Sequence, residues 1–488
     1  MSVQGYRWFT CLLVAGSLAA IGASCSEDAP GPAPTGGTAG APDGGGGAGG
    51  QGGSGASAGT AGAPGGSAGS MGGQGGSGAS GGSGGSGGQG GSVTGGNAGQ
   101  GGSGGASGAG TGGNAGSGAA AGKDGGIAVD AAPRDGTADS PETSAPGTTY
   151  VYTSGYDPKI TIFTLDRLSG VLTSKGSLDT GISSPSYLAF SADKRFLYAV
   201  NEATGANSKV LAFKIAPDGS LQKINEAPTG GDGSPHLSVT PDGRWVLVAH
   251  YGSGHVSTLA VDANGGVTMP PADIQRPATS TSHQILTDAT GSFAFVPNVN
   301  ANTVFQFKLD AATGKLTANG SVSGFPSGAG PRHLARHPTS NWAYTMNETA
   351  VTVTSLVYDP ATGTFSGPQT IDSLPAGTAK TGSGAHVVVH PAGQFVYTSN
   401  RGHNSISIFE IDAATGRLTM RGNETGGGAI KTPRDFGMDP AGKFLFVANQ
   451  DAASLMVFEI NATDGKLTLR DTKTTPAGPS FAGALILP

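Results

Sequence analysis

AHVVVHPAGQFVYTSNRG, residues 385–402, sets two short apolar runs on either side of a Pro-Ala-Gly turn. Runs of this length, rich in β-favouring residues and bounded by turn formers, read as a pair of adjacent strands. The unit recurs as SYLAFSADKRFLYAVNE (186–202), PHLSVTPDGRWVLVAHYG (235–252), HQILTDATGSFAFVPNVN (283–300), RHLARHPTSNWAYTMNE (332–348) and PRDFGMDPAGKFLFVANQD (433–451). A second unit follows, an alternating strand that ends in a turn. Its clearest copies are ITIFTLDRLSGVL (160–172), VFQFKLDAATGKL (304–316), ISIFEIDAATGRL (406–418) and LMVFEINATDGKL (455–467), with weaker ones at Ile215, Val261 and Tyr358.

Together the two units predict four strands in each repeat of roughly 50 residues, the period of a β-propeller. A helical solenoid would need a 3.6-residue apolar period, which is absent. Counting the second unit gives about seven blades, so the expected fold is an all-β, seven-bladed propeller. The two ends of the repeat region agree. SFAGALILP (480–488) reads as a first strand with nothing after it, and TTYVYTSGY (148–156) as a second strand with nothing before it. Paired, they complete one blade and close the ring, which removes exposed sheet edges.

In the first unit, strand one begins at the face of the ring where strand two ends, so polar residues at those positions gather at one mouth. Aligned on the turn, strand one begins with Ser186, Pro235, His283, Arg332, Ala385 and Arg434, followed by Tyr187, His236, Gln284, His333, His386 and Asp435. Strand two ends in Asn201-Glu202, His250-Tyr251, Asn298-Val299, Asn347-Glu348, Asn400-Arg401 and Asn449-Gln450. A mouth rich in arginine, histidine, glutamate and asparagine suits a small polar ligand. Arg336 and His337 fall at the opposite face, where a solvated turn is expected. The repeated Asn at the end of strand two reads first as a turn-closing residue, because its side chain readily bonds nearby backbone.

The rest of the chain is of another kind. Of 488 residues 89 are glycine, and 31–127 are almost wholly small or polar. Such a composition cannot bury enough apolar surface to offset the entropy of ordering it, so residues 25–147 read as a disordered, flexible arm. No strict Gly-X-Y register holds there, which excludes collagen. Residues 1–24 read as an export signal, with Arg7, an apolar run from Cys11 to about Ile21 and small residues at Ala23 and Ser24. Cleavage before Cys25 would leave that cysteine as the lipid acceptor of a cell-envelope lipoprotein; cleavage nearby would release a secreted protein. No cysteine follows Cys25, so the domain at 148–488 has no disulfides and no thiol chemistry. A formal net charge of −6 argues against a nucleic-acid partner.

The strings GPRH, MNE, YTSNRG, AHYGSG, TPRDF and VANQD, with the turns between them, resemble the seven-bladed lactonase propellers, which include 6-phosphogluconolactonases and carboxy-muconate lactonizing enzymes. The resemblance covers essentially all of 148–488. It implies a site formed by His283, Arg332, Glu348 and Arg401. Two positions depart from the family pattern: Asn298-Val299-Asn300 and His386 both stand where an acidic residue is common.

Lactone hydrolysis needs a base for water, donors for the oxyanion and an acid for the departing alkoxide. Glu348 is the expected base, provided the arginines do not lower its pKa too far. Arg332 and Arg401 are the expected donors and His283 the expected acid. The plainer alternative makes Arg332 and Glu348 an ion pair that ties two strands together. His333, His386, Arg434, His236 and Asn400 are the expected substrate contacts. His333/His337 and His386/His390 are each about 13 Å apart along a strand, too far to share one ion. A cross-blade pair, His333 with His386, stays open, but neither metal nor cofactor is expected.

The sequence therefore predicts an exported, monomeric lactone hydrolase that touches a membrane only through its lipid anchor. The alternatives are a non-catalytic surface propeller that binds carbohydrate or protein and, less favoured, a lactonizing isomerase.

Overall fold

The computed structural model describes residues 147–488 except Ala206; the export signal, Cys25 and all but the last residue of the arm lie outside them. The described residues form seven four-stranded antiparallel sheets. Blade 1 joins the C-terminal strand Pro479–Leu487 to Thr148–Gly155, Lys159–Leu165 and Leu172–Asp179. Blades 2 to 7 follow in chain order, their innermost strands being Pro185–Phe190, His236–Val239, Leu286–Thr287, Pro331–Arg336, Gly384–Val389 and Pro433–Met438. The innermost strands pack on one another around the ring, except that blade 4 meets the innermost strand of blade 5 through its second strand, Phe293–Asn298. Closure is as the sequence predicts: Thr148 lies opposite Leu487 and the register runs on to Gly155 opposite Pro479.

Second strands such as Phe395–Asn400 and Phe444–Asn449 are buried along their whole length. Neighbouring blades cover both of their faces, which is why they read as unbroken apolar runs. The outermost strands, such as Leu172–Asp179, are largely exposed.

A recurrent contact locks one blade to the next at four of the seven junctions. The Tyr152 hydroxyl donates to the Gly219 carbonyl (2.7 Å), Tyr198 to Gly265 (3.1 Å), Tyr344 to Gly416 (3.1 Å) and Tyr397 to Gly465 (2.8 Å). The receiving glycines sit in the turns that end the second sequence unit. At Gly363 (φ +69°) a Cβ would fall 2.0 Å from the Phe293 ring, so the turn needs glycine both for its backbone and for close approach.

The weak copy at Val261 has a physical counterpart. The outer strand of blade 3 is only Asp273–Gln275, preceded by an isolated bridge between Val261 and Val267. Pro270 and Pro271 lie between them and have no N–H for a ladder.

At the face opposite the mouth the expected solvated turn is instead a staple. Half-buried His337 shares a 2.9 Å hydrogen bond through Nε2 with the Gly393 carbonyl of the next blade, and its Nδ1 accepts from the Thr339 and Ser340 amides. His390 repeats the bond to Gly442 one blade on (2.9 Å). Arg336 lies over the Tyr358 ring.

Candidate active site

The innermost strands of blades 2, 5, 6 and 7 each shift register near their start, at Pro185/Tyr187, Pro331/His333, Gly384/Val387 and Pro433/Asp435. A bulge re-aims side chains that would otherwise alternate between faces. As a result sequence neighbours reach the same recess, Arg332 with His333 and Arg434 with Asp435, joined there by Glu202 and His283.

Three of the four residues implied by the resemblance form one ionic cluster. Nη2 of Arg401 donates to Oε1 of Glu348 at 2.7 Å and to the Gly384 carbonyl at 3.0 Å. Nε of Arg332 lies 3.4 Å from Oε2 of Glu348, and its Nη1 donates to the Ala385 carbonyl at 2.6 Å. Arg332 is 2% exposed. Burial and repulsion from Arg401 pull its guanidinium down to about 9, still charged at neutral pH.

Burial alone would raise the Glu348 carboxyl, but Arg401 and Arg332 outweigh it and hold Glu348 below the ordinary carboxylate range. Both oxygens of Glu348 face guanidinium groups, which lowers its proton affinity and counts against it as a base. The ion-pair alternative for Arg332 and Glu348 is present in the fold, extended to Arg401.

The histidines form a second chain. His283 Nδ1 faces His333 Nε2 at 3.1 Å, and His333 Nδ1 faces His386 Nδ1 at 2.6 Å. The cross-blade pair left open by the sequence is thus a direct contact. Burial, with Arg332 next in effect, holds His283 and His333 well below the ordinary imidazole value and His386 at about 3. All three are neutral at physiological pH. His236 is also buried and neutral, with its ring centroid 4.2 Å from that of Tyr187.

Arg434 lies 3.5 Å from Glu202 and over the Tyr156 ring, and Tyr156 donates to Glu202 at 3.3 Å. Asn400 is placed differently from the substrate contact it was expected to be. Its amide donates within its own blade to the hydroxyls of Ser405 (3.1 Å) and Ser407 (2.7 Å), bridging the turn through side chains rather than through the backbone bond expected of it.

Asp435, Glu202 and Tyr156 belong to the site and were not selected from the sequence. Asp435 shares an alignment column with His333 and His386, and Glu202 shares one with Glu348, so that column position was the available signal. Asp435 is 2% exposed, and burial pushes its carboxyl up to about 8. Its Oδ1 accepts from the Ala482 amide at 3.2 Å, which ties blade 7 to the closing strand.

With this geometry in hand, the likeness to known proteins is specific. The family model described as "Lactonase, 7-bladed beta-propeller" matches residues 148–482. A 6-phosphogluconolactonase of Bacillus subtilis is 32% identical over 297 residues, 59% of this chain and 83% of that protein. One from Formosa agariphila is 28% identical over 295 residues, 57% of this chain and 82% of the relative. Among solved structures, the periplasmic gluconolactonase of Pseudomonas aeruginosa matches with a TM-score of 0.63 at 25% identity, covering 70% of this chain and all of that one.

Proposed function

The chain belongs to the family of seven-bladed β-propeller lactonases, and from that premise we propose that it is a carboxylic ester hydrolase that opens the ring of a sugar lactone at this recess. The observation that carries the reading is the convergence of two arginines, Arg332 and Arg434, and a neutral histidine, His283, on one polar recess, with Arg401 beside it on Glu348, the carboxylate that Arg332 also faces.

Arg332, Arg401 and Arg434 face two glutamates, Glu348 and Glu202, which leaves net positive charge where an oxyanion develops. Preorganised donors of this kind stabilise the tetrahedral intermediate without reorganisation at the moment of reaction. Glu348 acts as a positioning residue that holds Arg332 and Arg401 in place.

His283 is the base. With its proton on Nδ1, donated to His333 Nε2, its Nε2 lone pair accepts a proton from the attacking water. The water oxygen bonds to the lactone carbon. The ring C–O bond then breaks, and the same proton passes to the departing ring oxygen, giving a hydroxy acid. His333, passing its own Nδ1 proton toward His386, fixes this tautomer. His236 and Arg434 contact the rest of the substrate. No cofactor enters these steps.

The domain at 148–488 acts as a monomer, carried on the arm 25–147 and anchored through Cys25 after removal of 1–24. A setting outside the cytoplasm is supported by the export-signal pattern and by the periplasmic description of the P. aeruginosa neighbour. Palmitate labelling of Cys25 in cells tests the anchor, and an unlabelled, secreted protein would remove it.

The activity is tested by following acid release from a panel of sugar lactones with the full chain. Arg401→Gln is expected to lower kcat about 100-fold, and His337→Gln, at the opposite face, to leave it unchanged. If no lactone is opened faster by the wild-type protein than by Arg401→Gln, the hydrolase reading fails and the carbohydrate-binding propeller takes its place.

A further inference from the structure

We propose that His333, His386 and Asp435, one from each of blades 5, 6 and 7, form a binding site for a divalent transition-metal ion of the zinc class. The inference rests on geometry alone and does not depend on the lactone reading.

The three residues occupy the same position in successive innermost strands, so the ring symmetry itself aims them at one point. His333 Nδ1 and His386 Nδ1 are 2.6 Å apart, Asp435 Oδ2 is 3.5 Å from His386 Nδ1, and one donor atom from each residue lies within 4.8 Å of the others. Bonds of about 2.0–2.2 Å in a tetrahedral site put neighbouring ligands roughly 3.3 Å apart. The observed separations straddle that value, so modest side-chain rotation admits an ion.

A hydrogen-bonded arrangement does not satisfy the cluster. Two neutral ring nitrogens facing each other share a single proton, and Oδ2 of buried Asp435 is still left without a hydrogen-bond partner. A buried carboxyl oxygen without a partner is costly. One cation on the two nitrogens and this oxygen satisfies all three atoms together.

The surroundings supply what ligands need from behind. Asp435 Oδ1 is held by the Ala482 amide. His333 presents Nε2 to His283 Nδ1 at 3.1 Å, so with its proton on Nε2 it donates outward while Nδ1 faces the ion, as ligating imidazoles do. Nearby positive charge is partly answered: Arg332 and Arg401 share Glu348, and Arg434 faces Glu202. Two imidazoles and one carboxylate select zinc, cobalt, nickel or ferrous iron over calcium or magnesium, which prefer oxygen shells.

The test uses the full chain with Cys11→Ser and Cys25→Ser, which removes its only two thiols. Chelator-stripped protein is titrated with Co(II), read by its visible absorption, and the Co(II) is then displaced with Zn(II). The expected result is saturation at one equivalent. Affinity should fall at least about tenfold in His386→Ala and in Asp435→Asn and stay unchanged in His403→Ala. Asp435→Asn preserves shape, so a folded Asn variant with weakened binding supports the site even if His386→Ala fails to fold. Absence of stoichiometric binding by the parent protein, or binding that survives both substitutions, overturns the proposal.

Discussion

Oε1 of Glu348 accepts the Arg401 guanidinium at 2.7 Å across the gap between blades 5 and 6, with both side chains largely buried. This pair does two things: it ties adjacent blades at the mouth and it lowers the proton affinity of Glu348. Largely buried pairs lose more when one partner is removed than exposed pairs do, because the remaining charge is uncompensated. Arg401→Gln should destabilise by about 3 kcal/mol. A double-mutant cycle with Glu348→Gln, read by urea unfolding, should give a coupling above about 1 kcal/mol; a value near zero would mark the contact as a weak surface-type pair.

His250 reports on pH. It is buried between Ser234 (2.7 Å) and Ser257 (3.1 Å), and burial, with a smaller push from His255, holds it at about 3. The folded pKa lies below the unfolded value of about 6.5, so the unfolded chain takes up the proton first as pH falls. The stability tied to a neutral His250 is full above about 6.5 and is lost progressively down to about 3. At pH 5 the loss from this one residue should be about 2 kcal/mol. Unfolding free energies at pH 7 and pH 5 should show a smaller difference in His250→Gln than in the wild-type protein. An identical difference would mean that His250 is not the neutral, buried group described.

Two turn glycines separate backbone strain from close packing. Gly243 and Gly363 have nearly the same φ, +71° and +69°, but a Cβ at Gly243 meets nothing within 4 Å, whereas at Gly363 it meets the Phe293 ring at 2.0 Å. Gly243→Ala should cost about 1 kcal/mol for the left-handed backbone alone. Gly363→Ala should cost at least about 1 kcal/mol more. Equal losses in chemical denaturation would remove the blade-to-blade lock from the explanation.

The ring was legible because each blade repeats a strand–turn–strand pattern with fully buried second strands, and because SFAGALILP and TTYVYTSGY are each half a blade. The mouth was legible as a set of columns, within which the family resemblance singled out Arg332, Glu348, Arg401 and His283. What the columns could not carry was the bulge at the start of the innermost strands. It lets Arg332 and His333, or Arg434 and Asp435, face the same recess instead of opposite sides of a blade. Without it Asp435 was one more member of a column, the His333–His386 pair stayed open, and Asn400 looked available when its amide is spent on Ser405 and Ser407. The Glu348 role depended on a balance of burial against two arginines, which residue types alone do not fix.

Metal and catalysis are linked through one tautomer. An ion on Nδ1 of His333 puts the proton of that ring on Nε2, directed at His283 Nδ1, and His283 then carries its own proton on Nε2, where the base needs a lone pair. One equivalent of Zn(II) should therefore slow lactone opening, and chelation should restore it. A rate unchanged at saturation would separate the ion from the proton path.

The central claim is that His283 is a neutral base beside three arginines, and the pH dependence of lactone opening tests it most directly. Initial rates on a sugar lactone between pH 4.5 and 7, corrected for spontaneous opening, should give kcat/KM with no acid limb near the ordinary imidazole value, because His283 titrates well below it. His283→Gln should lower the plateau about 100-fold while the protein remains folded. A wild-type profile that falls through an ordinary imidazole pKa, or a His283→Gln variant that matches wild-type rates, would contradict the account.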